Sequence, residues 1–195
     1  GISHFMEHLL FKGTERRSAA QIAEEMDSVG GVLNAFTGKQ YTCYYAKVLD
    51  ENLTLAIDLL ADIFIHSVFE QEEIERERSV ILQEISQVED TPDDYVHELF
   101  SADYFRDHAL GRPICGQAAT VTSFQRADFI NFWRDRYLPS RVIVAAAGHL
   151  APAELFQQMA RGLGKVDGSR LAPKAEESAA SGNPVRQSGV FKHSK

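Results

Sequence analysis

The first thirteen residues constrain the fold most, because their polar and apolar side chains separate onto two faces only if the segment is a helix. Three polar residues recur at spacings of three and four and so form one stripe: His4, Glu7 and His8. The opposite side is apolar and consists of Ile2, Phe5, Met6, Leu9 and Leu10. A helix with such a face packs against a core, which gives its polar stripe a fixed direction. We expect this helix over residues 1–12, ended by Gly13.

The polar stripe has the chemistry of a metal site. Two imidazoles one turn apart can bind one tetrahedral ion, with each nitrogen about 2.0–2.1 Å from the metal. Glu7 lies between them, beside such an ion, and can accept a proton from water there. The alternative is a stripe that faces solvent, since a pair of histidines at this spacing is not specific by itself. The intervening glutamate and the apolar back of the helix favour the metal site.

A catalytic zinc ion usually has three protein ligands, so a further ligand is expected from elsewhere in the chain. The segment 70–88, which we predict to be one long helix, offers several glutamates, most of which are expected to face solvent. Glu84 follows the apolar run 80–82, so we expect it at the buried end of that helix. Glu77 lies two turns earlier on the same face, and spacing alone leaves it open as the alternative ligand.

The rest of the sequence predicts clusters of helices with few strands between them. We predict helices at 18–29, 52–65, 91–105, 122–137 and 151–163, and strands at 32–37, 41–49 and 141–147. The helix starts are predicted from Ser18 with Gln21, from Thr91 before Pro92, and from Thr122 with Gln125. This order predicts an α+β domain over residues 1–165, with a mostly antiparallel sheet packed against a layer of helices. Residues 166–195 are predicted to be a linker or long loop and the start of a further strand.

Composition narrows the range of partners. The net charge is −8 and no basic cluster is present, which argues against nucleic acid as a partner. No apolar run reaches the length of a membrane span. Cys43 and Cys115 are far apart and have no paired spacing, so we predict a reducing compartment, with the cytoplasm favoured.

Several longer segments resemble one peptidase family. The inverted zinc motif, His-x-x-Glu-His, stands here in GISHFMEHLLFKGT, residues 1–14. Further matches are GGVLNAFT (30–37), ERERSVILQEI (75–85), HALGRPICG (108–116) and YLPSR (137–141). Together these segments resemble the pitrilysin, insulinase and mitochondrial processing peptidase family over nearly all of residues 1–165.

The resemblance implies a zinc-dependent endopeptidase with one Zn²⁺ ion. It implies metal ligands at His4, His8 and Glu84, and the catalytic base at Glu7. It also implies that Glu77 supports the site without being a main ligand. Asn34 and Ala35 match the edge strand along which the family binds an extended peptide. Without the resemblance, Asn34 would be interpreted as a polar residue near a turn.

The family further implies a partner for this domain. Its members have strands ahead of the motif helix and a second, similar domain or subunit that closes over the first, and no segment here matches either. We therefore expect the chain to be the N-terminal part of a longer protein and to be inactive alone. The expected substrate is a peptide or unfolded protein, and a homodimer is one way in which the chamber could close.

Two other classes of function were weighed against this one. A non-catalytic partner subunit would have lost the zinc motif, which is complete here. A metal-free binding module would keep the polar stripe for structural reasons, and zinc analysis of the purified protein distinguishes that case.

Overall fold

Residues 1–163 are described by a computed structural model, and they form eight α-helices and one antiparallel pair of strands. The helices are α1 (Ile2–Leu10), α2 (Ala19–Ser28), α3 (Leu53–Ile65), α4 (Gln71–Asp90), α5 (Pro92–Tyr104), α6 (Ala118–Ser123), α7 (Arg126–Arg136) and α8 (Pro152–Leu163). The strands are β1 (Val32–Thr37) and β2 (Thr42–Lys47). The fold is α+β, as predicted, but it is mostly helical.

Helix α1 lies at the centre of the core, as its pattern predicts. Its apolar side chains Phe5, Met6, Leu9 and Leu10 are each at most 1% exposed. They pack with residues of α4 and α7, and the rings of Phe5 and Phe129 are 4.6 Å apart. Full burial of each such side chain contributes about 1.5–3 kcal/mol. This packing fixes the rotation of α1 about its own axis.

Strands β1 and β2 form a hairpin in which Val32 pairs with Lys47 and Thr37 pairs with Thr42. One face of the hairpin packs on the core, whereas Val32 on the other face is 47% exposed. The chain enters β1 through two glycines. Gly30 has φ +63°, a conformation that favours glycine, and a Cβ on Gly31 would lie 2.3 Å from the sulfur of Met26, so a larger residue there would displace the Met26 side chain.

The predicted helix caps have mixed outcomes. The capping box at the start of α2 is confirmed, since Ser18 N–H donates to Gln21 Oε1 (2.8 Å) and Gln21 N–H donates to Ser18 Oγ (3.3 Å). Thr91 is the N-cap residue of α5 and Pro92 is its first helical residue, as predicted, but the Thr91 side chain makes no capping hydrogen bond. The Thr91 hydroxyl donates instead to the carbonyl of Gln87 (2.7 Å), one of the last carbonyls of α4.

Two predictions fail between residues 118 and 147. Thr122 lies inside α6, and α7 begins after Gln125, whose backbone N–H donates to Asp128 Oδ2 (2.8 Å). The strand predicted at 141–147 does not form, and Ile143 is 93% exposed. A strand needs a neighbour to complete its backbone hydrogen bonds, and in the described residues β1 and β2 pair only with each other.

The predicted linker at 166–195 lies outside the described residues, and the proposed domain boundary at 165 stays a prediction. Among residues 1–163, no helix is both long enough and apolar enough to cross a membrane.

A buried carboxylate ties the loop after α1 to helix α3. The side chain of Asp62 is 0% exposed. It accepts hydrogen bonds from Thr14 Oγ1 (2.9 Å) and Arg17 Nη1 (2.8 Å), and it lies 3.0 Å from His66 Nδ1. Arg17 is itself only 11% exposed. Removing either the Asp62 carboxylate or the Arg17 guanidinium would therefore leave the other charge buried without this partner.

We expect Asp62→Ala to lower the free energy of unfolding by about 3 kcal/mol, because it leaves the buried Arg17 guanidinium without its most buried partner. The control is Asp58→Ala, which removes a 41% exposed carboxylate from the same arginine and is expected to cost about 1 kcal/mol or less. Urea denaturation of both variants measures the difference. Equal decreases in the free energy of unfolding for the two variants would show that the burial of Asp62 does not add to its contribution to stability.

Candidate metal centre

Helices α1 and α4 bring three potential metal ligands together: His4, His8 and Glu84. One ligand atom of each lies within 4.8 Å of the others, and no second group of this kind occurs in residues 1–163. Glu84 Oε2 is 3.6 Å from His4 Nε2 and 3.7 Å from His8 Nε2. A tetrahedral zinc ion holds its ligand atoms roughly 3.3 Å apart, so these positions fit one ion with little adjustment.

Two buried polar atoms in this cluster have no hydrogen-bond partner. Glu84 Oε2 and His4 Nδ1 are both buried and make no hydrogen bond. Leaving a buried polar group unsatisfied costs about 1–3 kcal/mol, and native proteins rarely tolerate it without a reason. A cation bound between the two imidazoles would satisfy the Glu84 oxygen. Two histidines and one glutamate are also a donor set that catalytic zinc accepts.

The electrostatics of His4 suit metal binding. Burial, together with the neighbouring His8 ring 4.7 Å away, lowers the pKa of His4 to about 4. The ring is therefore neutral at pH 7, which is the form of histidine that binds a metal.

Glu77 contacts His8 from the other side. His8 Nδ1 lies 2.9 Å from Glu77 Oε2, and Lys12 Nζ lies 2.7 Å from Glu77 Oε1. Because an ionised carboxylate only accepts hydrogen bonds, His8 Nδ1 is the donor to Glu77, and His8 Nε2 lies on the side of Glu84. Both oxygens of Glu77 are thus occupied, whereas one oxygen of Glu84 has no partner.

The expected burial of Glu84 holds only in part. Its neighbours Ile81 and Ile85 are buried, but its own side chain is 37% exposed. Glu77 is the enclosed carboxylate, at 8%, because Lys12 and His8 cover it.

Glu7 lies beside the two histidines on α1 and contacts the hairpin. Its carboxylate accepts a hydrogen bond from Thr37 Oγ1. Two partly buried tyrosines whose hydroxyls are 2.8 Å apart, Tyr44 and Tyr137, are close enough for the charge of Glu7 to act on them. Burial raises the pKa of Tyr44 and raises that of Tyr137 to about 12, and the charge of Glu7 adds to both shifts.

The sequence interpretation assigned no role to Lys12 or Thr37. Lys12 follows His8 by four residues, so helical spacing could have placed it on the same face. Nothing in the sequence pairs Thr37 with Glu7, because that contact depends on how the hairpin packs against α1.

The predicted substrate residues lie in the middle of β1. Asn34 is exposed, and its Oδ1 accepts the Ala35 N–H (2.7 Å). In the register of the hairpin, Asn34 pairs with Tyr45 of β2 and Ala35 pairs with Tyr44. Within the described residues β1 has β2 as its one neighbour, so its second edge carries no strand there.

Comparison with known proteins gives this arrangement a context. The family described as insulinase, peptidase family M16, matches residues 1–118. The chain is 49% identical over 151 residues to the zinc protease YmxG of Bacillus subtilis, a match that covers 77% of this chain and 37% of that protein. It is 44% identical over 191 residues to the zinc protease SCO5738 of Streptomyces coelicolor, a match that covers 97% of this chain and 41% of that protein.

Solved structures show the same fold. A protease from Helicobacter pylori superposes with a TM-score of 0.81 at 23% identity, over 94% of this chain and 43% of that one. Pitrilysin superposes with a TM-score of 0.74 at 21% identity, over 85% of this chain and 18% of that one.

The fold is the one found in pitrilysin, and the relatives that the sequence matches are named as zinc proteases. The chain belongs to the insulinase family, peptidase family M16, and corresponds to its N-terminal domain region. It spans about two fifths of the length of the curated relatives described here.

We expect Glu84→Ala to lower the zinc content of the purified protein well below one ion per chain, because it removes one of three candidate ligands. Glu77→Gln keeps all three and is expected to weaken zinc affinity by about 10–100-fold. Glu89→Ala, exposed on the same helix, serves as the control and should change neither quantity. Metal analysis and chelator competition measure both. Full zinc content in Glu84→Ala combined with its loss in Glu77→Gln would make Glu77 the ligand.

Proposed function

We propose that this chain is the zinc-binding catalytic domain of a metalloendopeptidase that hydrolyses peptide bonds with one Zn²⁺ ion. The observation that carries the proposal is the cluster of His4, His8 and Glu84, with an unsatisfied carboxylate oxygen facing two imidazole nitrogens. Relatives named as zinc proteases support it.

The ligands in this proposal are His4 Nε2, His8 Nε2 and a carboxylate oxygen of Glu84. Glu77 holds the His8 ring through Nδ1, and Lys12 balances the charge of Glu77. When bound, zinc lowers the pKa of a coordinated water toward about 7 and polarises a substrate carbonyl.

Glu7 is the proposed general base. It is the acidic residue of the α1 stripe, placed between the two histidines, so its carboxylate lies beside the proposed ion without being one of its ligands. In this role it takes the proton of the attacking water and passes it to the leaving amine, which leaves Glu7 ionised for the next cycle.

The proposed substrate is a peptide or unfolded protein bound in an extended conformation along β1. Backbone groups on the edge of a sheet bind such a peptide by adding it as a further strand, and side-chain pockets select its sequence. Asn34 and Ala35 are the proposed contact residues, and the edge of β1 opposite β2 carries no strand within residues 1–163.

On this proposal the active enzyme includes residues beyond this chain. The chain spans 37–41% of the two curated relatives, so we propose that a second homologous domain or subunit closes over the β1 edge. A second copy of the whole protein is one way to supply it. On this proposal the 195-residue chain alone binds zinc but does not hydrolyse peptides.

We expect Glu7→Gln to lower kcat of the full-length protein by about 10²–10⁴-fold while zinc content stays unchanged, because the amide cannot accept a proton. Hydrolysis of a fluorogenic peptide and metal analysis measure the two quantities. Glu24→Gln, exposed on α2, is the matched control and should keep full activity. Normal turnover by zinc-loaded Glu7→Gln would exclude Glu7 as the base.

A further inference from the structure

The end of the β-hairpin contacts the carboxylate of Glu7. Thr37 is the last residue of β1 and pairs in register with Thr42, the first residue of β2. Thr37 Oγ1 donates to Glu7 Oε2, and Thr42 Oγ1 lies 3.2 Å from Thr37 Oγ1. Beside them, the Gly38 N–H donates to the Tyr41 carbonyl (2.8 Å) and closes the turn.

The direction of these hydrogen bonds follows from the groups involved. An ionised carboxylate can only accept, so the one hydroxyl proton of Thr37 goes to Glu7. Thr37 Oγ1 then has only lone pairs to offer Thr42, whose hydroxyl must be the donor. The hairpin therefore supplies an ordered chain of donors from Thr42 to Thr37 to Glu7.

This chain of donors engages only one oxygen of the carboxylate. Oε2 accepts from Thr37, while Oε1 has no hydrogen-bond partner among residues 1–163. A glutamate side chain has several rotatable bonds, and fixing one oxygen restricts where the other can lie. The anchored oxygen and the free oxygen thus have different roles.

The anchor belongs to a rigid part of the fold. Leu33 and Tyr44 of the same hairpin pack against the core that buries α1. The Thr37 hydroxyl is therefore held by strand pairing and core packing rather than by a loop. Catalytic groups need this kind of support, because a displacement of about 1 Å can cost on the order of 100-fold in rate.

We propose that Thr37 is the positioning residue of the base, holding Glu7 Oε2 so that Oε1 is presented to the attacking water in one orientation. This inference rests on the proposed role of Glu7. Thr42 supports it by holding the Thr37 hydroxyl in the donor orientation.

The test compares Thr37→Val, which keeps the side-chain shape without the hydroxyl, with Thr37→Ser, which keeps the hydroxyl. Valine favours strands, so the hairpin is retained. In the full-length zinc-loaded protein, Thr37→Val should lower kcat by about 10–100-fold at unchanged KM, and Thr37→Ser should restore most of it. The matched control is Thr54→Val, which makes the same change at an exposed position of α3. This control should keep the wild-type kcat.

A second readout is independent of activity. Zinc content should be equal in all variants. A crystal structure of zinc-loaded Thr37→Val should show the Glu7 carboxylate in more than one orientation, with a single orientation in the wild type and in Thr37→Ser.

Wild-type kcat in Thr37→Val, failure of Thr37→Ser to restore activity, or a raised KM in place of a lowered kcat would each overturn the positioning role. Glu7→Gln, assayed in parallel, separates this from failure of the proposed function. An inactive Glu7→Gln beside a fully active Thr37→Val refutes only the role of Thr37. An active Glu7→Gln refutes both, since Glu7 would not be the base.

Discussion

Burial of the apolar face of α1 is the constraint on which the site depends. Phe5, Met6, Leu9 and Leu10 are almost completely buried, so turning the helix by even one residue would expose part of that face and bury part of the polar stripe. The core thereby fixes the directions in which His4, Glu7 and His8 point. The arrangement of these three side chains is a consequence of that packing, and α4 and the hairpin supply their partners, Glu84 and Glu77 beside the histidines and Thr37 beside Glu7.

Helix α4 contributes two glutamates, Glu77 and Glu84, that lie in different environments. They are seven residues apart, and both approach His8, Glu77 at Nδ1 and Glu84 near Nε2. Lys12 and His8 occupy both oxygens of Glu77, whereas Glu84 keeps an unsatisfied oxygen facing two imidazoles. A carboxylate with both oxygens engaged orients a ligand, and one with a free oxygen can itself bind a cation. Contacts, and not burial, separate the two proposed roles, since Glu84 is the more exposed residue.

The sequence predicted what is encoded locally. Helix α1, the Ser18 capping box and the β1–β2 hairpin follow from spacing and turn residues within a few positions of each other. Features that depend on a distant partner were not predictable in this way. The run 142–147 has strand composition but no neighbouring strand in the described residues, and the contact of Thr37 with Glu7 exists only once the hairpin packs on α1. Spacing also could not separate Glu77 from Glu84, because residues seven apart share one helix face.

Strand β1 joins the two halves of the proposed chemistry. Ala35, proposed to contact the substrate, and Thr37, proposed to position the base, are two residues apart and so lie on the same face of the strand. Strand geometry fixes their separation along the chain at roughly 6.6 Å. A peptide paired with β1 would therefore be held in register with Glu7 by a single rigid element. If both proposals hold, the hairpin binds the substrate and also sets the distance between the peptide backbone and the proposed base, Glu7.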